Sequence, residues 1–246
     1  MLLTTSILTL TTSKGQNKDI WYTISNMSDN KIPEHKISRG YDRGADYLDM
    51  KSKLITDFTA TYNRYVHNKN KTRVGNTLIY IIVAMIQLRN GSRIIEAVNA
   101  LRNFTINGCD DLTVVKIAKS GGIKYKTVDG VTKKVQSKVK FRKMMFPEAW
   151  ISVNHKIKII KKLKVSHQKV FDKPDKIIKK RVYSYLLRKY KINTHSLRYA
   201  FINHMIHEEK TPLNEVAKFV GHSSIDQIVR YTQQKQCDKI FKMDHL

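Results

Sequence analysis

The stretch VGHSSIDQIVRYT, Val220–Thr232, decides how the rest of the chain is read. Gly221 is a helix terminator, because glycine takes the left-handed conformation at no steric cost. It leaves His222 at a fixed corner. A second helix then opens on polar residues, runs from Ile225 to about Gln234, and carries Tyr231 nine residues after the histidine. Alone, the stretch is a helix stop followed by a helix start. A histidine at such a corner is commonly structural, and Tyr231 is one of 12 tyrosines. What lies upstream changes that reading.

Working back from Gly221, Thr211-Pro212 starts the helix that the glycine ends. NTHS, Asn193–Ser196, caps another that covers Leu197–His207. Lys176–Tyr190 places Ile178, Val182, Leu186 and Tyr190 on one helical face, with lysines and arginines opposite. Residues 151–191 read as mostly helical, and between 151 and 200 there are 15 Lys and Arg against two Asp. With so few acids to compensate, this basic surface is expected to contact phosphates. Further upstream, LTVVKIA, IKYKTV and VKFRKMMF are rich in β-branched and aromatic residues and separated by turns. They predict a small antiparallel sheet of two or three strands, ended by Pro147. Helices are expected over Val74–Leu88 and, capped by Ser92, from Arg93 to about Phe104. NKNKTR, Asn68–Arg73, reads as a basic linker. Before it, Asp46–His67 repeats Leu48, Ile55, Phe58, Tyr62 and Tyr65 or Val66 at helical spacing. Residues 1 to about 45 show no sustained period and read as an irregular arm.

The balance of charge narrows the function. The chain has 246 residues, 41% of them apolar, with 46 Lys and Arg against 20 Asp and Glu and a formal charge of +26. Such an excess repels itself, and nucleic acid is its default partner, because neutralised phosphates release counterions. A membrane partner is not expected: the most apolar run, Ile79–Leu88, is far shorter than the roughly 20 residues of a spanning helix. The start, MLLTTSILTL, lacks a basic leader and is not read as a signal peptide. Cys109 and Cys237 form no CxxC pair and no zinc pattern, so a reducing compartment is expected.

Several residues together suggest chemistry on a phosphate. In THSLRY, Thr194–Tyr199, His195 and Arg198 stand three apart on the first turn of a helix, where free N–H groups and the dipole favour an anion. NGSRIIEA, Asn90–Ala97, supplies Arg93 at another helix start, with Glu96 three residues on to brace a neighbouring group. A tyrosine with an unperturbed pKa of about 10 is a poor nucleophile at neutral pH, so cations and a base must assist it. Arginine forks suit the charge that develops on phosphoryl oxygens better than lysine point charges. No HExxH, carboxylate cluster or P-loop is present, so neither a metal nor another cofactor is expected.

The series Gly-x-Arg-x-x-Glu, His-x-Leu-Arg, Gly-His and then Tyr resembles the tyrosine recombinase (phage integrase) family over about residues 74–235. HSLRYAFINHM and VAKFVGHSSIDQIVRYTQ look like the two C-terminal signature boxes of that family. The resemblance implies Tyr231 as nucleophile, forming a 3′-phosphotyrosyl link. It implies Arg93 and Arg198 on the non-bridging oxygens, His195 assisting proton transfer and His222 donating to a non-bridging oxygen. The family's hairpin lysine, the general acid, is placed at Lys119, with Lys124 and Lys126 as neighbouring alternatives. The implied fold is α+β and mostly helical, with a small antiparallel sheet. A reduced N-terminal DNA-binding arm and helix is expected over 1–70 and a catalytic unit over 71–246. The implied partner is double-stranded DNA, bound as a homotetramer on synapsed duplexes and met as a monomer or dimer when free. No small-molecule substrate is expected. The expected place of action is the cytoplasm of a prokaryotic host or virus-infected cell, with the protein nucleoid-associated when bound to DNA. A type IB topoisomerase or telomere resolvase with the same chemistry, and a non-catalytic DNA-binding regulator, are the alternatives.

Overall fold

Helix α2, Lys71–Asn90, is the core helix of this computed structural model, which describes residues 45–67, 71–107, 112–128, 131–147, 159, 172–222, 225 and 228–229. Those residues belong to one unit, Asp42–Leu246. Leu78, Ile79 and every residue from Ile81 to Leu88 are buried. A helix apolar all round needs neighbours on all sides. α2 has them in α1 (Tyr47–His67), α3 (Ile94–Asn107), α4 (Asp175–Tyr190) and α5 (Thr194–His207). No single helix among the described residues is long and apolar enough to cross a membrane. Thr72–Asn90 and Ile94–Ile106 reach that mark only as a pair bent by 112°, and both line this core. Lys71–Arg73, expected in a linker, instead form the first turn of α2, and residues 68–70 lie outside the described residues.

α1 begins where Asp46 Oδ1 accepts from Asp49 N at 2.8 Å. Its buried face is Met50, Leu54, Phe58, Thr61 and Tyr65, rather than the face drawn through Leu48, which is 58% exposed. The sequence pattern was ambiguous here because Leu48 and Met50 are both apolar, and only the packing against α2 selects between them. α4 buries Ile178, Val182 and Leu186 as its spacing predicts. It is tied at both ends: Arg102 of α3 binds Asp175 and donates to Lys173 O at 2.7 Å, and Tyr190 Oη donates to Asp57 Oδ2 at 2.6 Å.

Among the described residues, four strands form two separate antiparallel pairs. β1 (Leu112–Lys116) pairs with β4 (Phe141–Met145), and β2 (Ile123–Val128) pairs with β3 (Val131–Gln136). Thr113 and Val115 of β1 and Arg142 and Met144 of β4 point inward by strict alternation, with Val115 opposite Arg142. The sequence reading missed β3, VTKKVQ, because it buries neither face and so lacks the alternation that betrays a strand.

α6, Leu213–Val220, ends on Gly221 at φ +71°, in the left-handed conformation that the sequence requires of it. Of the next expected helix only Ile225, Ile228 and Val229 are described, the last two helical and both donating to Ile225 O. The N-terminal arm, most of the basic stretch 151–171, Tyr231 and the tail after it lie outside the described residues.

Candidate active site

α5 starts at a reciprocal cap. The Asn193 side chain accepts from His195 N at 2.6 Å and Ser196 N at 3.2 Å, while Asn193 N donates to Ser196 Oγ at 3.1 Å. This cap fixes the helix phase, and with it the placing of His195 on the open side and Arg198 on the buried side, 2% exposed. Arg198 Nη1 donates to Gly91 O at 2.7 Å and Nη2 to Val220 O at 3.0 Å. These carbonyls end α2 and α6, and the last carbonyls of a helix have no partner within it. One guanidinium thereby joins two helix ends and keeps three of its five N–H donors free of these two bonds.

Both ends need glycine. Gly91 sits at φ +53°, where a Cβ would overlap the Phe201 ring and come within 2.9 Å of Val220 Cγ1. Gly221 follows Val220, and His222 N donates back to Ala217 O at 2.9 Å, which sets the corner on which His222 stands.

A second guanidinium, missed by the sequence reading, joins the same helix ends. Arg142 Nη2 donates to Asn90 O at 2.5 Å and Nη1 to Val220 O at 3.1 Å, so Val220 O accepts from two arginines. Arg142 Nη1 also approaches Glu96 Oε2 at 3.5 Å. Glu96, wholly buried, is the hub of the cluster. It accepts from Arg93 N at 3.1 Å, Arg93 Nη1 at 3.2 Å and Ala118 N at 3.0 Å. The bond from Arg93 N also makes Glu96 the cap of α3; Ser92, expected to cap it, makes no hydrogen bond through its hydroxyl.

Two guanidinium groups, Arg93 and Arg142, thus pair with one buried carboxylate, and a third, Arg198, shares Val220 O with Arg142, leaving positive charge in a poorly solvated place. The titrations carry its mark. Burial, then the field of Arg93, push Arg198 down to about 10 against the opposing pull of Glu96, which still leaves it charged at neutral pH. Arg142 is lowered chiefly by burial. His195 is held below its ordinary 6.5 by burial and by Arg198, Lys179, Arg93 and Lys119 in turn. It is therefore neutral at pH 7, able to accept a proton. The same interactions place Lys119, in the turn after β1, and Lys179 of α4 within electrostatic reach of that histidine.

The structure therefore brings Arg93, Lys119, His195 and Arg198 into one neighbourhood around Glu96, with His222 set by the end of α6. Lys124 and Lys126 lie out along β2, and Tyr231 is outside the described residues. Lys179 was legible only as part of a basic face. Arg142 had one signal: in FRKMMF, period-two alternation puts it on the same face as Met144 and Phe146, an inward position for a charged residue. Among the described residues, no group of three or more His, Cys, Asp or Glu could hold a metal ion.

No family model matches the chain. It is 39% identical over 226 residues, 89% of this chain and 96% of the relative, to V10 of Sputnik virophage, which bears an integrase name. It is 26% identical over 207 residues, 84% of this chain and 70% of the relative, to ORF241 of Acidianus two-tailed virus, which is also named as an integrase. Among solved structures it is similar to XerH site-specific recombinase bound to difH substrate before cleavage, with a TM-score of 0.41 and 14% identity. That match covers 81% of this chain and 53% of the other, so the chain spans about half the length of that structure.

Proposed function

The chain belongs to the tyrosine recombinase (integrase) family, and on that premise we propose that it is a site-specific DNA recombinase that cleaves and rejoins strands through a covalent 3′-phosphotyrosyl intermediate. The observation that carries this reading is the pairing of Arg93 and Arg142 with the buried Glu96, with Arg198 bonded beside them at the junction of two helix ends and His195 on the same helix as Arg198.

Tyr231 Oη attacks the scissile phosphorus, the bond from phosphorus to the 5′ oxygen breaks, and that oxygen leaves with a proton from Lys119. Arg93 and Arg198 hold the non-bridging oxygens, and His222 donates to one of them. His195, kept uncharged, accepts the tyrosine proton. Donors already fixed around the developing charge are worth about 2.7–4 kcal/mol each when removed. Two of them, Arg93 and Arg198, are held by hydrogen bonds before substrate arrives and supply part of the barrier reduction without any metal. The phosphotyrosyl link keeps the energy of the phosphodiester, so a 5′-hydroxyl can rejoin the strand without ATP. Exchange between two duplexes needs four strands cut, which a tetramer on synapsed DNA provides.

The reading is tested by incubating the protein, in EDTA and without ATP, with duplexes that carry the DNA flanking its gene. The expected product is a strand bearing protein at its 3′ phosphate, with a partner end labelled directly by polynucleotide kinase. A need for divalent metal, or ends carrying a 3′-hydroxyl, would replace this chemistry with metal-assisted cleavage.

A further inference from the structure

β3 is exposed on both faces, and no described side chain of the β2–β3 hairpin is buried. Every side chain described on it is exposed, Tyr125 at 73% and Ile123 at 55%. A two-stranded hairpin without a packed face is marginal in water. Its pairing adds to the difficulty, since Lys126 stands opposite Lys133 and Tyr125 opposite Lys134. Like charges directly across a ladder destabilise it. Over residues 112–147 there are ten Lys and Arg against one acid, Asp129. Such a ribbon gains stability when a polyanion lies along it.

Its root, by contrast, is closely bonded and adjoins the arginine cluster. The β1–β4 ladder continues through Ile117 N donating to Lys140 O at 2.8 Å, and Ser120 Oγ donates to Ile117 O at 2.7 Å. Gly121 then turns the chain at φ +77°, where a Cβ would come within 2.7 Å of Val139 Cγ2. Ser137 N and Oγ both donate to Gly122 O, at 2.9 and 2.7 Å, closing the ribbon's base. Gly121 follows Lys119 by two residues, and Ala118 N is held by Glu96. Each strand has six residues. At roughly 3.3 Å per residue it spans about 20 Å, or about six base-pair steps of duplex. A two-stranded ribbon fits the major groove, about 12 Å wide.

We propose that the β2–β3 ribbon is a duplex-DNA grip, lying in a groove beside the phosphate held by Arg93 and Arg198. Lys133 and Lys134, both exposed, neutralise the flanking backbone. The inference rests on duplex DNA being the substrate. Two variants test it: one joining Gly122 directly to Ser137, which are already hydrogen-bonded, and one carrying Lys133→Gln with Lys134→Gln on an intact ribbon. Affinity for a duplex bearing the flanking DNA is measured across salt concentrations, with thermal melting as the folding control. Removing the ribbon should weaken binding about tenfold or more and flatten the slope of log affinity on log salt by up to about 3.6. The double substitution should flatten it by about 1.8. If the deletion fails to fold, the double substitution decides. An unchanged slope and affinity, with wild-type binding steeply salt-dependent, would overturn the grip and leave the recombinase reading standing. Duplex affinity kept while binding to phosphatidylserine vesicles is lost would overturn it in favour of a membrane surface. Wild-type protein with no salt-dependent duplex binding would remove both.

Discussion

Arg142 and His195 show two ways in which a dry, positive site governs a single side chain. Arg142 satisfies two helix-end carbonyls and balances Glu96. Replacing it with Met leaves Asn90 O and part of a buried carboxylate without that partner, while Val220 O keeps Arg198, and breaking a buried pair typically costs about 3–5 kcal/mol. Arg142→Met should therefore lower the unfolding free energy by roughly 3 kcal/mol, read by chemical denaturation. A loss below about 1 kcal/mol would mean that water reaches these groups. His195 is governed through its charge instead. Burial and the neighbouring cations hold its proton affinity below the ordinary 6.5. The unfolded chain binds that proton more readily, so His195 contributes nothing to stability well above pH 6.5 and withdraws stability as pH falls below it. An NMR titration of the free protein should place the His195 midpoint under 6.5, whereas a midpoint at or above 6.5 would show that the cations lie farther away.

The element scale is where the sequence was most legible. Gly221 stops α6 and Asn193 caps α5 as their types predict, and Ile178, Val182 and Leu186 form the buried face of α4. These are local instructions, written in residue type and spacing. The parts that escaped prediction depend on partners distant in sequence. Arg142 reads as one more basic residue until β4 pairs with β1, and α1's buried face is chosen only by packing against α2. β3 carries no alternation to read. The order of Arg93, Glu96, His195, Arg198 and His222 was visible, but their convergence needed the turn at Gly91. Gly91→Ala tests that turn. A left-handed alanine costs about 1–3 kcal/mol before any overlap, and here Phe201 and Val220 occupy the space. The substitution should cost at least about 2 kcal/mol in stability and displace Arg93, two residues on. Unchanged melting would mean that the helix ends can separate without loss.

Across the whole molecule, core, cluster and charge serve one arrangement. α2 anchors the fold through a face apolar all round, and its C-terminal end meets that of α6 across Arg142 and Arg198. From this junction the chain presents Arg93, Lys119, His195 and His222 together, on a protein of formal charge +26. In the proposed reading the nucleophile is Tyr231, which lies outside the described residues. The direct measurement is covalent trapping on nicked suicide duplexes made from the DNA that flanks the gene. Wild type and Tyr231→Phe are run side by side on a denaturing gel, with duplex binding measured in parallel. Wild type should give a shifted protein–DNA band, and Tyr231→Phe should bind as tightly yet give none. A band of equal strength from Tyr231→Phe would contradict the assignment and move the nucleophile to another residue.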